Sequence, residues 1–282
     1  MTDSAPKSRL PSTDTLVFIA MLLLIGGGVF MVWWPYHREQ QVIAEIEKLG
    51  GEARSNECIL PKWFPEEARS FVVFQRVIDV DLSNTQVRDA NLEHLRELTS
   101  LISLSLNNTQ VGDTGLEHLR GLKNLFKLDL DSTQVNGAGL EHLQGLTKVY
   151  ILSLNNTQVD DAGLKHLRGL TELELLSLNN TQVSDAGLEH LRGLTKLDRL
   201  MLDNTQVTDV GLEHLRRLTN LIDLHLESTQ VSDAGLERLR GLTSLTRLYT
   251  YNTNVTQSGI NELERALPDC FVHGDRQWNN AE

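Results

Sequence analysis

One phrase recurs along most of this chain at a fixed interval. VIDVDLSNTQVRDANLEHLRELTS (77–100) returns as LISLSLNNTQVGDTGLEHLRGLKN (101–124). Five further copies follow through Ser244 at a period of 24 residues, without insertion or deletion, and a looser eighth copy covers 245–268. Each reads approximately LxxLxLxxTxVxDxGLxxLxxLxx. One such unit cannot bury its own apolar stripe, so neighbouring copies must cover it and the units stack along an axis. A chain wrapped around a single central core is thereby excluded.

The columns of the repeat predict its local structure. In LSLNN the alternating Leu104 and Leu106 indicate a short strand with one face toward the core. The Thr column (Thr85, Thr109, Thr133, Thr157, Thr181, Thr205, Thr229, Thr253) falls where the chain leaves the strand. A hydroxyl there can satisfy backbone groups left unpaired at the bend, and neighbouring copies can form a ladder. Asp113, Asp161, Asp185, Asp209 and Asp233, several preceded by Ser or Thr, read as helix starts. Leu188, Leu191 and Leu194 share one helical stripe, and Gly121, Gly145, Gly169, Gly193 and Gly241 fit helix C-caps with positive φ. The pattern resembles the leucine-rich repeat, with Thr where Asn or Cys is more usual. The expected fold is an α/β leucine-rich-repeat solenoid, right-handed, with a parallel concave sheet and helices on the convex side. Eight strands at about 4.8 Å give an inner sheet on the order of 35 Å long.

The flanks divide the chain further. Residues 1–14 form a tail. From Thr15 to Trp34 the sequence TLVFIAMLLLIGGGVFMVWW carries no charge; as a helix it spans roughly 30 Å, the thickness of a bilayer core. Trp33, Trp34 and Tyr36 suit the headgroup region. Lys7 and Arg9 give the start of a signal peptide, but the apolar run is too long and WWPYHRE lacks a small-residue cleavage site. The expectation is one retained transmembrane helix preceding the solenoid, with the repeats on the non-cytoplasmic side. Residues 35–76 then supply a juxtamembrane helix and N-terminal cap. Val42, Ile43, Ile46 and Leu49 lie on one face before Gly50-Gly51, and Trp63, Phe64, Phe71 and Phe74 are read as cap packing. Residues 269–282 form the C-terminal cap and tail, with Cys270, Phe271 and Val272 laid against the last repeat. Cys58 and Cys270 flank the stack at opposite ends, too far apart for an intramolecular disulfide.

Composition and spacing narrow the function. The net charge of −12 falls almost wholly in the repeats, which argues against nucleic-acid binding through phosphate neutralisation. Catalysis needs dissimilar groups converging on one place, whereas a repeat spreads identical groups along an axis. His94, His118, His142, His166, His190 and His214 form such a column, one per helix at the roughly 8–10 Å spacing of packed helices. They are read as a half-exposed helix position rather than metal ligands. Glu117, Glu189, Glu213 and Glu237 precede Arg120, Arg192, Arg216 and Arg240 by three residues and read as surface pairs. The NxT triplets at Asn107, Asn155 and Asn179 belong to the repeated phrase. No phosphate loop, HExxH, GxSxG or CxxC is present. No catalytic residue, metal, cofactor or small-molecule substrate is expected.

The informative positions are the third, fifth and seventh of each copy, on the solvent face of the strands. Ile151-Ser153-Asn155 and Leu175-Ser177-Asn179 are nearly bland. The last three copies present Arg199-Met201-Asp203, Asp223-His225-Glu227 and Arg247-Tyr249-Tyr251. Tyr and Arg are enriched at binding hot spots, and Met adapts to irregular surfaces. The candidate protein-binding site is therefore Arg199, Met201, Asp223, His225, Arg247, Tyr249 and Tyr251. Spacing along a strand of nearly 7 Å between same-face neighbours makes Asp223, His225 and Glu227 a poor zinc set.

The phrases NTQVSDAGLEHLRGLTKL and IEKLGGEA resemble a bacterial group of membrane-anchored leucine-rich-repeat proteins with TDAGLEHL units, over about 39–270. That resemblance implies a protein-binding scaffold. The TDxGLxxL phrase is also similar to the cysteine-containing repeats of F-box proteins, which implies the alternative of a substrate-recognition adaptor in a ubiquitin-ligase complex. Here Thr replaces the Cys, and residues 1–76 carry no F-box pattern. An enzyme using the solenoid as a platform would need a unique polar cluster in a cap.

Overall fold

The computed structural model describes residues 39–59 and 73–275. The expected membrane span at 15–34 and the aromatics Trp63, Phe64 and Phe71 lie outside the described residues. Among those described, no helix is long and apolar enough to cross a membrane.

The repeats build a ten-stranded sheet whose spatial order equals chain order. The strands are β1 (Glu52–Ile59), β2 (Val73–Asp81), β3 (Ser103–Ser105), β4 (Lys127–Asp129), β5 (Ile151–Ser153), β6 (Leu175–Ser177), β7 (Arg199–Met201), β8 (Asp223–His225), β9 (Arg247–Thr250) and β10 (Phe271–Gly274). From β2 to β10 all neighbours are parallel, and from β2 to β9 the partners are 24 residues apart. Leu104, Leu128, Leu152, Leu176, Leu200, Leu224 and Leu248 thus form one fully buried row. The leucine-rich-repeat solenoid is the fold. The sheet has two more strands than the repeat count predicts, because both caps contribute one.

The N-terminal cap is a helix over residues 39–48 followed by the antiparallel β1–β2 pair. Val42 and Ile46 are buried while Ile43 and Leu49 pack partly against the core, as their spacing predicts. Gly50 ends the helix at φ +83. Glu39 is almost fully buried and accepts from Arg76 Nη1 at 2.6 Å and from the Val77 amide at 3.0 Å. The strand β1 was not legible in EARSNECI, in which Glu52, Arg54, Ser55 and Asn56 are exposed. Its Glu52 and Arg54 and an irregular register at Arg54–Ser55 protect an exposed sheet edge. At the other end Cys270 and Val272 are buried, but Phe271 is 53% exposed. Residues of β10 alternate in and out, so Phe271 cannot share the core with both neighbours. Cys58 on β1 and Cys270 beside β10 lie at opposite ends of the sheet; Cys270 is a free thiol that burial pushes up to about 11.

Four of the convex segments open with one α-helical turn and tighten into 3-10 geometry, as in Asp185–Leu188 and Glu189–Leu191. The Asp column begins these turns, as expected, and also does something the period hides. Oδ1 of Asp113, Asp161, Asp185, Asp209 and Asp233 accepts from the backbone amide 23 residues later, at 2.7–2.8 Å. Oδ2 of the last four accepts from the hydroxyl of that same residue, Ser184, Thr208, Ser232 or Thr256. These carboxylates staple their copies to the next.

Two expectations are corrected. The Thr hydroxyls form no ladder with one another: each donates within its own copy to the carbonyl three residues back, at 2.6–2.7 Å. Gly121, Gly145, Gly169, Gly193 and Gly241 do not take positive φ. Positive φ falls instead on the residue before each Thr, such as Asn108, Asn156 and Ser228. The 3-10 turn leaves through the following residue in ordinary space, Leu170 at φ −86 and ψ 59. Arg217 therefore serves where other copies carry Gly.

Candidate functional site

The seven candidate residues converge. Arg199, Asp223 and Arg247 are cross-strand partners in one row of β7–β9, and Met201, His225 and Tyr249 form the adjacent row. Tyr251 follows β9 in the turn and is 42% exposed. The parallel register alone produces this, since residues 24 apart must meet.

Within the patch the rings stack across strands. His225 lies on Tyr249 at 4.2 Å between centroids, and Tyr249 lies on His273 of β10 at 4.5 Å and 6°. Phe271 meets His273 edge to face at 4.6 Å. His273 and Phe271 were missed because FVHG, although it keeps the 24-residue register with Arg247–Thr250 and puts Val272 in the leucine row, carries no leucine of the repeated phrase. Its period-two alternation, with Val272 and Gly274 buried, is the signal that could have found them. Tyr249 is consequently covered on both ring faces.

Charges bind this stack together. Asp223, only 7% exposed, accepts from Arg247 Nη2 at 2.9 Å and Nε at 3.1 Å through Oδ2. Its Oδ1 lies 3.2 Å from His225 Nε2 as an ion-pair contact without hydrogen-bond geometry. His225 Nδ1 is 3.6 Å from Asp203. Asp203 is the main reason that the imidazole titrates above the usual histidine range; burial opposes it, and Asp223 and Glu227 add to it. Asp223 likewise raises Arg247. A protonated imidazole between two carboxylates and over a phenol ring is favoured both by charge and by cation–π attraction. Arg199 pairs with its neighbour Asp198 at 3.2 Å, and Met201 Sδ receives Ser177 Oγ at 3.3 Å.

The seventh-position residues are less free than their exposure in sequence suggests. Asp131, Asn155, Asn179 and Asp203 each accept, through Oδ1, from the backbone amide one copy onward. Asp203 is thus a structural strut as well as a charge.

On the convex side the histidine column makes inter-repeat contacts. Nδ1 of His142 and His190 accepts from Arg120 and Arg168 of the preceding copy at 2.6 Å, and His214 accepts from Arg192. An acceptor nitrogen requires the neutral ring. Burial, with Lys165 beside His166 and Arg168 beside His190, lowers both of those histidines. Glu189, Glu213 and Glu237 pair with Arg192, Arg216 and Arg240 as spaced, whereas Glu117 reaches back to Arg96 and Arg120 forward to Glu141. Among the described residues no group of three or more His, Cys, Asp or Glu is arranged to hold a metal ion.

No protein-family model matches the chain, and no curated protein matches it. Solved structures do. An internalin C2 from Listeria monocytogenes is similar over 70% of this chain and 80% of its own, at 25% identity and a TM-score of 0.59. A second internalin from that organism is similar over 69% of this chain and 58% of its own, at 23% identity and a TM-score of 0.53. Both are bacterial proteins, and the second shows the fold alone.

Proposed function

We propose that this chain is a non-catalytic scaffold that binds another protein through the concave face of its C-terminal repeats. The observation that carries the reading is the ring stack His225–Tyr249–His273 braced by Asp203, Asp223 and Arg247. Aromatic and Arg side chains held in one geometry lose little entropy on contact, which is what a hot spot requires. Tyr251, Arg199 and the edge of Phe271 surround that rigid centre. The internalin-like fold agrees with a binding role. Acidic Glu227 and Asp203 beside the stack favour a partner with basic rim residues, steered faster at low salt.

The reading includes a membrane. Residues 15–34 anchor the chain, and the repeats stand on the non-cytoplasmic side, as in a bacterial envelope protein. The described residues upstream of the repeats form one helix and one strand pair rather than a docking bundle, so the adaptor alternative has no observation in its favour. Recovery of the full chain in the soluble fraction without detergent would defeat the anchor.

The binding test is capture of cross-linked partners from intact cells by the full chain. Tyr251→Ala and Arg199→Ala should each weaken capture by at least about tenfold, the loss expected of a hot spot. Lys165→Ala, exposed on the convex side, should have no effect. Equal loss in all three places the surface elsewhere.

A further inference from the structure

The second position of each copy, immediately upstream of the strand, carries no consensus residue. It faces solvent together with the third, because the first and fourth are the buried leucines. Leu101 and Leu104 are fully buried, while Ile102 between them is 43% exposed. In the first four copies this column reads Ile78, Ile102, Phe126 and Tyr150. Phe126 is 41% exposed and stacks on Tyr150 at 4.5 Å and 13°. Ile151 and Leu175, half-buried on the concave side, widen the apolar surface.

The next two copies put Glu174 and Asp198 in the same column. Glu174 receives the Tyr150 hydroxyl, a neutral donor that leaves its charge in place. Beyond it lies a depression of about 280 Å³ lined by Glu174, Lys196, Asp198, Asn220, Ile222 and Ser244. Lys196 is turned to Glu172 at 2.6 Å and Arg199 holds Asp198 at 3.2 Å, so Glu174 carries the excess negative charge of the depression. An aromatic ridge therefore runs into an acidic hollow along one edge of the sheet. From Ile102 to Glu174 is three strand spacings, roughly 14 Å, the length of four to five residues of extended chain.

We propose that this edge is a second docking surface, for an extended polypeptide segment of a partner with three or four apolar side chains followed by an arginine or lysine. Exposed aromatic faces gain from burial by apolar side chains. Glu174 takes the cation, and its place at one end of the ridge sets the direction in which the segment lies. The surface is open rather than enclosed, which suits a chain better than a small molecule. A second copy of this protein fits poorly: two-fold pairing of the ridges would set Glu174 and Asp198 against the apolar end of the other.

The probe is a fluorescein-labelled peptide of four alternating Leu and Phe residues followed by two Arg, titrated against the full chain in detergent. Its partner control has the two Arg first. Saturable binding below about 1 mM is expected for the first, and binding at least tenfold weaker for the second. Phe126→Ser should weaken the first peptide at least tenfold with an unchanged thermal midpoint, since the ring is exposed. Glu174→Gln should remove the preference for the Arg-last order, and Tyr251→Ala should leave binding intact. No binding by the parent, indifference to peptide order, or unchanged binding by Phe126→Ser overturns the proposal. So does a sedimentation measurement showing a parent dimer that Phe126→Ser dissociates, which would assign the ridge to self-association.

Discussion

At Gly187 the space for a side chain is taken by the preceding copy: an added Cβ would lie 2.4 Å from Asp161 Oδ1. Gly211 and Gly235 meet Asp185 and Asp209 in the same way. The glycine column thus exists so that the stapling carboxylate can approach, and the exceptions agree. The first copy has Asn91 at this position, where no earlier Asp arrives, and the last has Gln257 where Asp would have nothing to staple. Gly193, by contrast, has ordinary φ and nothing within 4 Å of an added Cβ. Gly193→Ala should raise stability by about 0.4–1 kcal/mol through the unfolded chain, and Gly187→Ala should lower it by about 1–3 kcal/mol through overpacking; urea unfolding of each checks the pair. Both glycines were legible as columns, but only contacts 26 residues apart separate their reasons. The histidines divide likewise. His225 is raised, so its contribution to stability is full below about pH 6.5 and is lost as pH rises through its folded pKa. His166 and His190 are lowered, so the fold loses stability as pH falls from about 6.5. An NMR titration should find His225 highest of the three, and Asp203→Asn should bring it down.

One seam between elements departs from the others. The third copy carries Gly137 where its neighbours carry the stapling Asp, and its convex segment Gly139–Leu143 is 3-10 without an α-helical turn. Facing it, the fourth copy has Asp160 in place of Ser or Thr, and this carboxylate caps its own turn at the Gly163 amide, 3.0 Å away. A carboxylate at both positions would set like charges together, since a Cβ on Gly137 would lie 2.2 Å from Asp160 Oδ1. Gly137→Asp alone should cost about 1–3 kcal/mol. Adding Asp160→Ser should recover most of that loss by restoring the usual hydroxyl, so a double-mutant cycle must show strong coupling. The pairing was not legible beforehand: Gly137 and Asp160 look like unrelated drift until the 23-residue offset of the staple is known. Strands and turns were legible because leucine spacing dictates them. The extra strand β1 was not, because it owes its conformation to pairing with an end copy rather than to a pattern of its own; β10 keeps the alternation and the 24-residue register but lacks the leucines.

Along the stack the buried rows form one elongated core, and every copy relies on those beside it. Leu176, fully buried in the middle of the stack, is the point farthest from either cap. Leu176→Ala should cost about 2–5 kcal/mol by leaving a cavity, and should separate unfolding of the two halves, because support passes only between neighbours. Calorimetry showing one transition at the parent temperature would mean that the row is not the core. The patch residues cluster because register follows from the period, whereas the ring stack depends on β10, beyond the last copy. The forward-reaching carboxylates carry a different consequence. The joins after copies four, five, six and seven present the same donor and acceptor to each other, Asp161 to Ser184 through Asp233 to Thr256. A gene for this protein could gain or lose one 72-nucleotide unit at those joins and still encode a complete seam. The length of the sheet would then change in steps of about 4.8 Å, while both caps stayed as they are.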